Sequence, residues 1–341
     1  NANLVLKNNN IVVINSYKAA PSSHYKVDIV VAPLELQDGV TNRIRESNPP
    51  NKNTTLVLYE PLKESPNILI ELTPNDFTRK KDSMSLFHQS QVKRTDFPKM
   101  ITAISSRFEI EPGRSVEPFW GSVEDVGGNH KNFLSNIDQF SQAIMVSPHP
   151  DDVEIGAGGL LQLLFKKSLT THVLVATSGS NAEILKSDLQ NLNNYTAGTS
   201  DLIKANSSHK IIHPWVRQRI RKEETQKALT YLNPSADIRH LNLPFYEQRR
   251  PTNEEDLGLV IDILRENIGH YKNKKILLVI PHEWDAHHCH RKVTSLFLQA
   301  AQTLKQNGVD LEIIYYATPW LGRFNLYDYV DGELSYEWAG L

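Results

Sequence analysis

From residue 142 onward, short apolar runs alternate with stretches in which apolar residues recur at helical spacing. Continuous apolar runs of this length are typical of strands buried on both faces of a parallel sheet. The intervening spacing of three to four residues is typical of helices that pack on such a sheet. The predicted strands are 143–146, 171–177, 240–244, 275–280 and 311–316, and the predicted helices are 160–165, 216–231, 254–267 and 291–305. The alternation predicts an α/β fold with a mostly parallel sheet and helices on both faces.

Two of the predicted strands run directly into loops rich in histidine and aspartate. His149, Asp151 and Asp152 follow the first strand, and His287 and His290 follow the strand that ends at residue 280. The carboxyl ends of parallel strands meet at one edge of a Rossmann-like sheet, where α/β proteins bind ligands. A hydrolytic zinc site needs three imidazole or carboxylate ligands and one open position for water. The two loops can supply that set, with one carboxylate and one histidine left for proton transfer and oxyanion stabilisation.

Each loop taken alone also has a simpler interpretation. A His-Pro-Asp-Asp sequence is typical of a turn, and the stretch 287–290 is compatible with a solvated loop. Their joint occurrence, each after an apolar strand and before a helix, favours a shared metal site. Gly156, Gly158 and Gly159 lack the Gly-x-Gly-x-x-Gly spacing of a dinucleotide cradle, so we interpret them as positions where a helix packs closely on a strand. The polar stretch 187–214 predicts a long loop of the kind that serves as a lid.

Composition narrows the classes of function. The chain has 37 Lys and Arg against 39 Asp and Glu, with a net charge of -2, which argues against nucleic acid as a partner. The single cysteine, Cys289, excludes an intrachain disulfide and a multi-cysteine zinc module. No apolar run approaches the roughly 18 residues of a membrane-spanning helix. We expect a cytoplasmic location, and a removed leader stays open because the chain does not begin with Met.

The two histidine loops resemble those of a known family. The stretches 149–159 and 281–291, read together, are similar to the PIG-L/LmbE-like zinc de-N-acetylases, and the resemblance extends over roughly residues 140 to 320. It implies one Zn²⁺ per chain, with other divalent metals left open. It also implies a role for each residue of the two loops: His149, Asp152 and His290 bind zinc, Asp151 is the general base, and His287 polarises the acyl oxygen.

The resemblance extends to the substrate side. Arg221, with Glu224 three residues later, matches the arginine-bearing helix of the family. The stretches 177–181 and 243–247 resemble substrate-side loops of a subgroup in which such a domain follows a glucosamine phosphate deaminase-like one. The substrate-binding residues implied in this way are Arg221, Ser178, Asn181 and Tyr246.

One departure from the family pattern concerns Cys289. Many members have aspartate directly before the last histidine ligand, and a thiol cannot brace a neighbouring imidazole as a carboxylate does. Asp285 is the residue that would have to compensate. The departure supports a rival hypothesis, a catalytically impaired sugar-binding or scaffold protein with a vestigial zinc site. A third hypothesis is a zinc amidohydrolase that acts on a non-sugar amide.

The first 125 residues do not show this pattern, so we predict an N-terminal segment (1–125) and a catalytic domain (126–341). The stretch 30–43 follows the same course as 278–291, but Leu34, Gly39 and Asn42 stand in place of the histidines. The segment is therefore interpreted either as a degenerate half-copy of the same fold or as an unrelated α/β accessory segment. Apolar residues of the stretch 73–107, among them Met84, Leu86 and Ile104, are expected to pack on the catalytic sheet.

Together these observations predict a metal-dependent hydrolase that removes an N-acetyl or other N-acyl group from an amino sugar or glycoconjugate, with zinc-bound water as the nucleophile. The expected partner is a small-molecule N-acetylated sugar or glycoconjugate. No nucleic acid and no transmembrane segment are expected, and a homo-oligomer is left open.

Overall fold

The computed structural model of the chain describes part of its 341 residues. The described residues are 4–6, 11–13, 29–33, 55–59, 66, 68–92, 97–98, 101–102, 105, 115–121, 137–189, 191–206, 211–269, 274–283, 285, 287–318, 325–330 and 333–337. They divide into two compact units. One comprises Asn1–Glu64, Trp284–His287 and Trp320–Leu341, and the other comprises Ser65–Glu283 and His288–Pro319.

The described strands and helices are labelled in chain order. The strands are β1 (Leu4–Leu6), β2 (Ile11–Val13), β3 (Ile29–Pro33), β4 (Thr55–Tyr59), β5 (Ile68–Glu71), β6 (Val116–Gly121), β7 (Gln142–Ser147), β8 (Thr170–Val175), β9 (Asp237–His240), β10 (Ile276–Pro281), β11 (Leu311–Tyr316), β12 (Asn325–Val330) and β13 (Glu333–Glu337). The α-helices are α1 (Pro74–Phe87), α2 (Gln89–Val92), α3 (Asp152–Lys166), α4 (Ala197–Ala205), α5 (Pro214–Leu232), α6 (Pro244–Glu247), α7 (Glu254–Ile268) and α8 (His288–Gln306).

The larger unit contains a seven-stranded sheet in the order β5-β6-β11-β10-β7-β8-β9. The strands from β11 to β9 are parallel to their neighbours, whereas β6 runs antiparallel to β11 and β5 antiparallel to β6. The prediction of a mostly parallel sheet is therefore confirmed, and the antiparallel pair lies at one edge.

Helices cover both faces of this sheet, as the sequence predicts. Side chains alternate between the two faces along a strand. Ala143 and Met145 of β7 belong to an apolar cluster that contains Leu160 of α3 and Leu229 of α5. The alternate β7 residues, at positions 144 and 146, face the opposite side of the sheet, where they pack with apolar residues of α7 and α8. A strand that is apolar at every position is thus explained by burial on both sides.

The smaller unit contains a six-stranded sheet in the order β1-β2-β3-β4-β12-β13. In its parallel pair β3–β4, Val30 lies opposite Leu56. In the pair β10–β11 of the larger unit, Leu278 lies opposite Ile313. The comparison of 30–43 with 278–291 equates Val30 with Leu278, and both residues lie in a strand of a parallel pair. The half-copy interpretation stays a prediction.

Part of the predicted N-terminal segment lies in the larger unit, since β5, β6 and α1 belong to it. Helix α1 packs on α3 and α5. Met84 is buried as expected, but Leu86 is 52% exposed, so its predicted packing on the sheet is wrong. Ile104 lies outside the described residues. The domain boundary at residue 125 stays a prediction.

Two further expectations are corrected. The stretch 187–214 is folded in its described part: it contains α4, and Tyr195 and Ile203 pack with Ile220 of α5 in a small apolar cluster. The scattered apolar positions of this polar stretch are sufficient for that cluster. The predicted strand 240–244 is also displaced, because the strand β9 ends at His240 and Pro244 begins a short helix. None of the described helices is both long and apolar enough to cross a bilayer.

Helix α3 is bent at Ala157, whose backbone dihedrals (φ -139°, ψ 21°) are not helical. The amides of Gly159 and Leu160 donate to the carboxylate of Glu117, at 2.6 and 2.8 Å. Glu117 is buried and also accepts from Lys80 Nζ at 2.5 Å. A carboxylate at the first amides of a helix segment satisfies donors that have no intrahelical acceptor. Glu117 therefore caps the second half of α3.

The glycines of α3 allow close packing, as predicted. A Cβ atom at Gly156 would overlap the ring of Tyr316 and the carbonyl oxygen of Ala317. The Tyr316 hydroxyl in turn donates to the Val146 carbonyl at 2.9 Å. Neither neighbour is the flexible end of a side chain, so only glycine fits at position 156.

We therefore predict that Gly156→Ala lowers the free energy of unfolding by about 1–3 kcal/mol, the usual cost of overpacking. Gly258→Ala is the matched control, because Gly258 lies in α7 and a Cβ there meets nothing within 4 Å. We expect that control to gain about 0.5–1 kcal/mol from helix propensity. Chemical denaturation of both variants tests the pair, and equal effects of the two substitutions would contradict it.

Candidate metal centre and adjoining cleft

The turn between β7 and α3 is held by hydrogen bonds of its own residues. The Ser147 hydroxyl donates to the His149 carbonyl at 2.6 Å and accepts from the Val153 amide at 3.2 Å. The His149 amide donates to Asp152 Oδ2 at 2.8 Å. Asp152 is the first residue of α3, so its carboxylate is directed back over the turn. This arrangement brings the side chains of His149 and Asp152 together at the carboxyl end of β7.

Three side-chain atoms form a triangle at this edge of the sheet. His149 Nδ1 lies 2.9 Å from His290 Nε2, and Asp152 Oδ2 lies 3.3 Å from the first and 3.2 Å from the second. Tetrahedral zinc, with bonds of 2.0–2.2 Å, places neighbouring ligand atoms about 3.3 Å apart. The spacing of the triangle therefore matches that of three ligands on one ion. In addition, the ligand atoms of His149, His287 and His290 all lie within 4.8 Å of one another.

The protonation of these groups also suits a metal. Burial lowers the pKa of His149 to about 4, which leaves its imidazole neutral at pH 7. Burial by itself raises the pKa of Asp152, but His290 and His149 outweigh it, so the pKa lies well below its ordinary value. Metal ligands must be a neutral imidazole and an ionised carboxylate. The donor set thus fits a divalent cation such as zinc.

Asp151 lies beside the triangle and has its own partners. Its Oδ2 accepts from Arg221 Nη2 at 2.9 Å. The orientation of the Gln91 amide is assigned from its neighbours. With its nitrogen toward Asp151 Oδ2 (3.0 Å) and its oxygen toward Arg221 Nη2 and Nε (2.7 and 2.9 Å), it bridges the same two residues. The pKa of Asp151 is raised to about 7. Burial is the main cause and Asp152 adds to it, while Arg221 acts in the opposite direction.

Gln91 belongs to a short stretch whose role the sequence analysis missed. The Ser90 amide and hydroxyl both donate to Glu224, at 2.8 and 2.6 Å, and the Tyr195 hydroxyl donates to the same carboxylate at 2.6 Å. His88 Nε2 lies 3.3 Å from Glu154 Oε1, and both side chains are fully buried. Burial raises the pKa of Glu154 to about 8 and lowers the pKa of His88. No local pattern in 88–91 marks these contacts.

The predicted substrate-binding residues fall into two groups. Arg221 and Ser178 are buried. Arg221 also donates to the carbonyls of Gly179 and Pro150, at 3.1 and 3.3 Å, and these contacts hold its guanidinium against Asp151. Asn181 is exposed and Tyr246 partly exposed. Substrate binding by all four residues stays a prediction, and the surface positions of Asn181 and Tyr246 favour it for those two.

Asn181 and Tyr246 line a cleft of about 280 Å³. Its complete lining is Asn181, Phe245, Tyr246, Arg249, Arg250, His288, Cys289 and Lys292. The cleft adjoins the triangle, because the Tyr246 ring centroid is 5.7 Å from that of His149. No sequence pattern marked the basic residues of this lining, although the pair Arg249-Arg250 begins two residues after the substrate-side stretch 243–247.

The structure also shows the surroundings of Cys289 and of Asp285, the residue expected to compensate for it. Cys289 is 1% exposed and packs in the apolar cluster of α8 with Val293 and Phe297. Asp285 Oδ1 accepts from the His287 amide at 2.7 Å. This bond orders the backbone before α8, and bracing of an imidazole by Asp285 stays a prediction.

Comparison with known proteins identifies the region that carries this site. Residues 144–301 match the model of the family described as PIG-L, GlcNAc-PI de-N-acetylase. A curated glucosamine-6-phosphate deaminase-like protein of Bacteroides thetaiotaomicron is 28% identical over 210 residues, which cover 52% of this chain and 31% of the relative. The chain thus spans about a third of the length of that relative.

Two similar solved structures each share 18% identity with the chain. One is the N,N'-diacetylchitobiose deacetylase of Pyrococcus horikoshii, with a TM-score of 0.34 and coverage of 54% of this chain and 63% of that one. Another is the 4-carboxy-2-hydroxymuconate hydratase of Pseudomonas putida, with a TM-score of 0.31 and coverage of 47% and 55%. The assignment rests on the family model, whose matched residues include the two loops of the triangle. Residues 144–301 of this chain therefore match the PIG-L family model.

Proposed function

We propose that the chain is a zinc-dependent hydrolase that removes an N-acetyl group from an amino sugar or glycoconjugate. The observation that carries the proposal is the triangle of His149, Asp152 and His290 beside the buried carboxylate of Asp151. Hydrolysis of an amide needs a polarised carbonyl, an activated water and a base, and this arrangement offers a place for each. The family match supports the N-acetyl group as the target.

One zinc ion per chain would be held by His149, Asp152 and His290. When bound, it would supply Lewis-acid chemistry: such an ion lowers the pKa of water from 15.7 to about 7 and polarises an acyl oxygen. Another divalent ion with the same ligand preferences would serve the same purpose.

The chain's own contribution centres on Asp151. Its Oδ2 is occupied by Arg221 and Gln91, so Oδ1 is the oxygen that receives a proton from the attacking water. Arg221 and Gln91 hold the carboxylate in one orientation, which keeps Oδ1 directed at the reacting atoms. Protonated Asp151 then returns its proton to the departing amine.

The remaining groups orient the substrate. His287 donates a hydrogen bond to the acyl oxygen as negative charge develops on it. Asn181 and Tyr246, with Ser178 and Arg221 behind them, contact the sugar. The substrate is a small-molecule N-acetylated sugar or glycoconjugate, and the cytoplasmic location expected from the sequence stays a prediction.

The first test is direct. Full-length protein loaded with zinc is incubated with a panel of N-acetylated sugars and with N-acetylated peptides, and released acetate is measured. We expect acetate from one or more sugars and none from the peptides. Release from the peptides alone would favour a non-sugar amide, and bound sugar without acetate release would favour the rival sugar-binding protein.

We predict that His290→Ala abolishes stoichiometric zinc binding, because two remaining ligands are too few for a stable site. His288→Ala is the matched control, since His288 is the exposed histidine of the same helical turn. Metal analysis of the purified variants checks both. Full zinc occupancy in His290→Ala would exclude this residue as a ligand.

Asp151→Asn is predicted to keep its zinc and to lose about 10²- to 10⁴-fold in kcat, the usual contribution of a general base. The amide has nearly the same volume but cannot accept the proton of the water. Metal analysis combined with steady-state kinetics measures both quantities. Activity near that of the wild type would show that another residue is the base.

Gln91→Ala is predicted to lower kcat about tenfold while KM and zinc content stay unchanged, because one charge-assisted hydrogen bond to Asp151 is lost. Gln89→Ala, two residues away on the same short helix, is the control and should leave kcat unchanged. Thermal unfolding of both variants separates misfolding from misplacement of Asp151. A loss confined to KM would contradict the role of Gln91 in positioning the base.

A further inference from the structure

The cleft beside the metal triangle is strongly basic. Arg249, Arg250 and Lys292 line it, together with His288. No acidic side chain belongs to its lining among the residues that the structure describes. A concave site with one sign of charge concentrates ligands of the opposite sign.

Only one of the three cations is neutralised by a carboxylate in the described part of the chain. Arg250 makes two bonds to Asp256, at 2.6 and 3.0 Å. Arg249 Nη2 lies 3.4 Å from the Asn181 side-chain oxygen, a neutral acceptor. Lys292 Nζ lies 5.8 Å from the centre of the Phe245 ring. Two positive charges at the wall of the cleft are thus available for an anionic ligand.

The position of helix α8 adds to the positive electrostatic potential in the cleft. Its first two residues, His288 and Cys289, line the cleft. The amino end of a helix carries partial positive charge and favours anions. The backbone therefore reinforces the side chains of Arg249 and Lys292.

The cleft is joined to the reacting end of the site by Tyr246. This residue lines the cleft, and its ring makes an edge-to-face contact with His149 at a centroid distance of 5.7 Å. A volume of about 280 Å³ is just below the range for whole small-molecule sites, roughly 300–1,000 Å³, so the cleft has room for part of a ligand. A sugar-sized ligand that places its N-acetyl group at the triangle would therefore extend a further substituent into the cleft.

We infer that the cleft binds an anionic substituent of the substrate, a phosphate or a carboxylate, and that the enzyme selects acidic amino-sugar derivatives over neutral ones. This inference rests on the proposed function and names its substrate class more closely. Arg249 is the main specificity residue, because a guanidinium can bind either oxyanion with two hydrogen bonds. Lys292 supplies a second, less directional charge.

The test compares the wild type with the double variant Arg249→Ala/Lys292→Ala. The control is Arg265→Ala/Lys305→Ala, which removes the same charges from exposed positions of α7 and α8. The substrates are N-acetylglucosamine, its 6-phosphate, and N-acetylmuramic acid as the carboxylate. We expect the wild type to prefer one of the anionic sugars. In the double variant, KM for that sugar should rise about ten- to a hundredfold, while KM for the neutral sugar changes far less.

A separate binding measurement distinguishes failure of this inference from failure of the proposed function. Calorimetric titration with inorganic phosphate and with glucosamine 6-phosphate does not require turnover. Binding that is lost in the double variant and retained in the control supports the cleft even if no acetate is released from any sugar, an outcome that would refute only the proposed activity. Equal binding by both double variants, or equal kcat/KM for neutral and anionic sugars in the wild type, would overturn the inference.

Discussion

The structure depends on how it compensates three carboxyl groups buried at the start of one helix. Asp151, Asp152 and Glu154 lie within four residues of one another and are at most 8% exposed. Burial of an unpaired carboxylate costs several kcal/mol or forces the group to take up a proton. Each carboxyl group is compensated in a different way. Asp152 faces two imidazoles and Asp151 faces an arginine. Glu154 is paired with a buried histidine, and its pKa is raised to about 8. Three neighbouring acids thereby acquire three different electrostatic environments.

The partners come from distant parts of the chain, and this requirement explains why residues before the family domain belong to the same compact unit. His88 and Gln91 lie about 60 residues before the acids that they contact. Glu224, which the family pattern marks, does not touch the triangle, and instead holds Ser90 by two hydrogen bonds. A stretch outside residues 144–301 thus completes the surroundings of the proposed base. Glu117, which also precedes residue 144, caps α3 after the bend with its carboxylate.

The site has an inner and an outer part, and the start of α8 contributes to both. His290 is fully buried in the triangle, whereas His288 and Lys292 line the basic cleft. Family resemblance accounts for the inner part, to which we assign the proposed hydrolysis. The outer part is built from Arg249 and Lys292, and this division separates the groups that act on the N-acetyl group from those that would select the rest of the substrate. Arg249 also has a positive φ of 52°, an uncommon conformation for a residue other than glycine.

The sequence by itself determined most of the parallel part of the sheet and the position of the two histidine loops at its edge. Strand β11 matches its predicted bounds, and β7, β8 and β10 lie within two residues of theirs, because burial on both faces leaves an uninterrupted apolar run. His149, Asp152 and His290 could be paired because each follows a strand end at the same sheet edge. Only the tertiary structure decided which residues complete their surroundings. Gln91 and His88 are ordinary polar residues in sequence, and the resemblance that marks Arg221 does not indicate its contact with Asp151. The physical reason is that a local pattern records periodicity, whereas the partner of a buried charge is chosen by whichever distant group the packing brings within hydrogen-bonding distance.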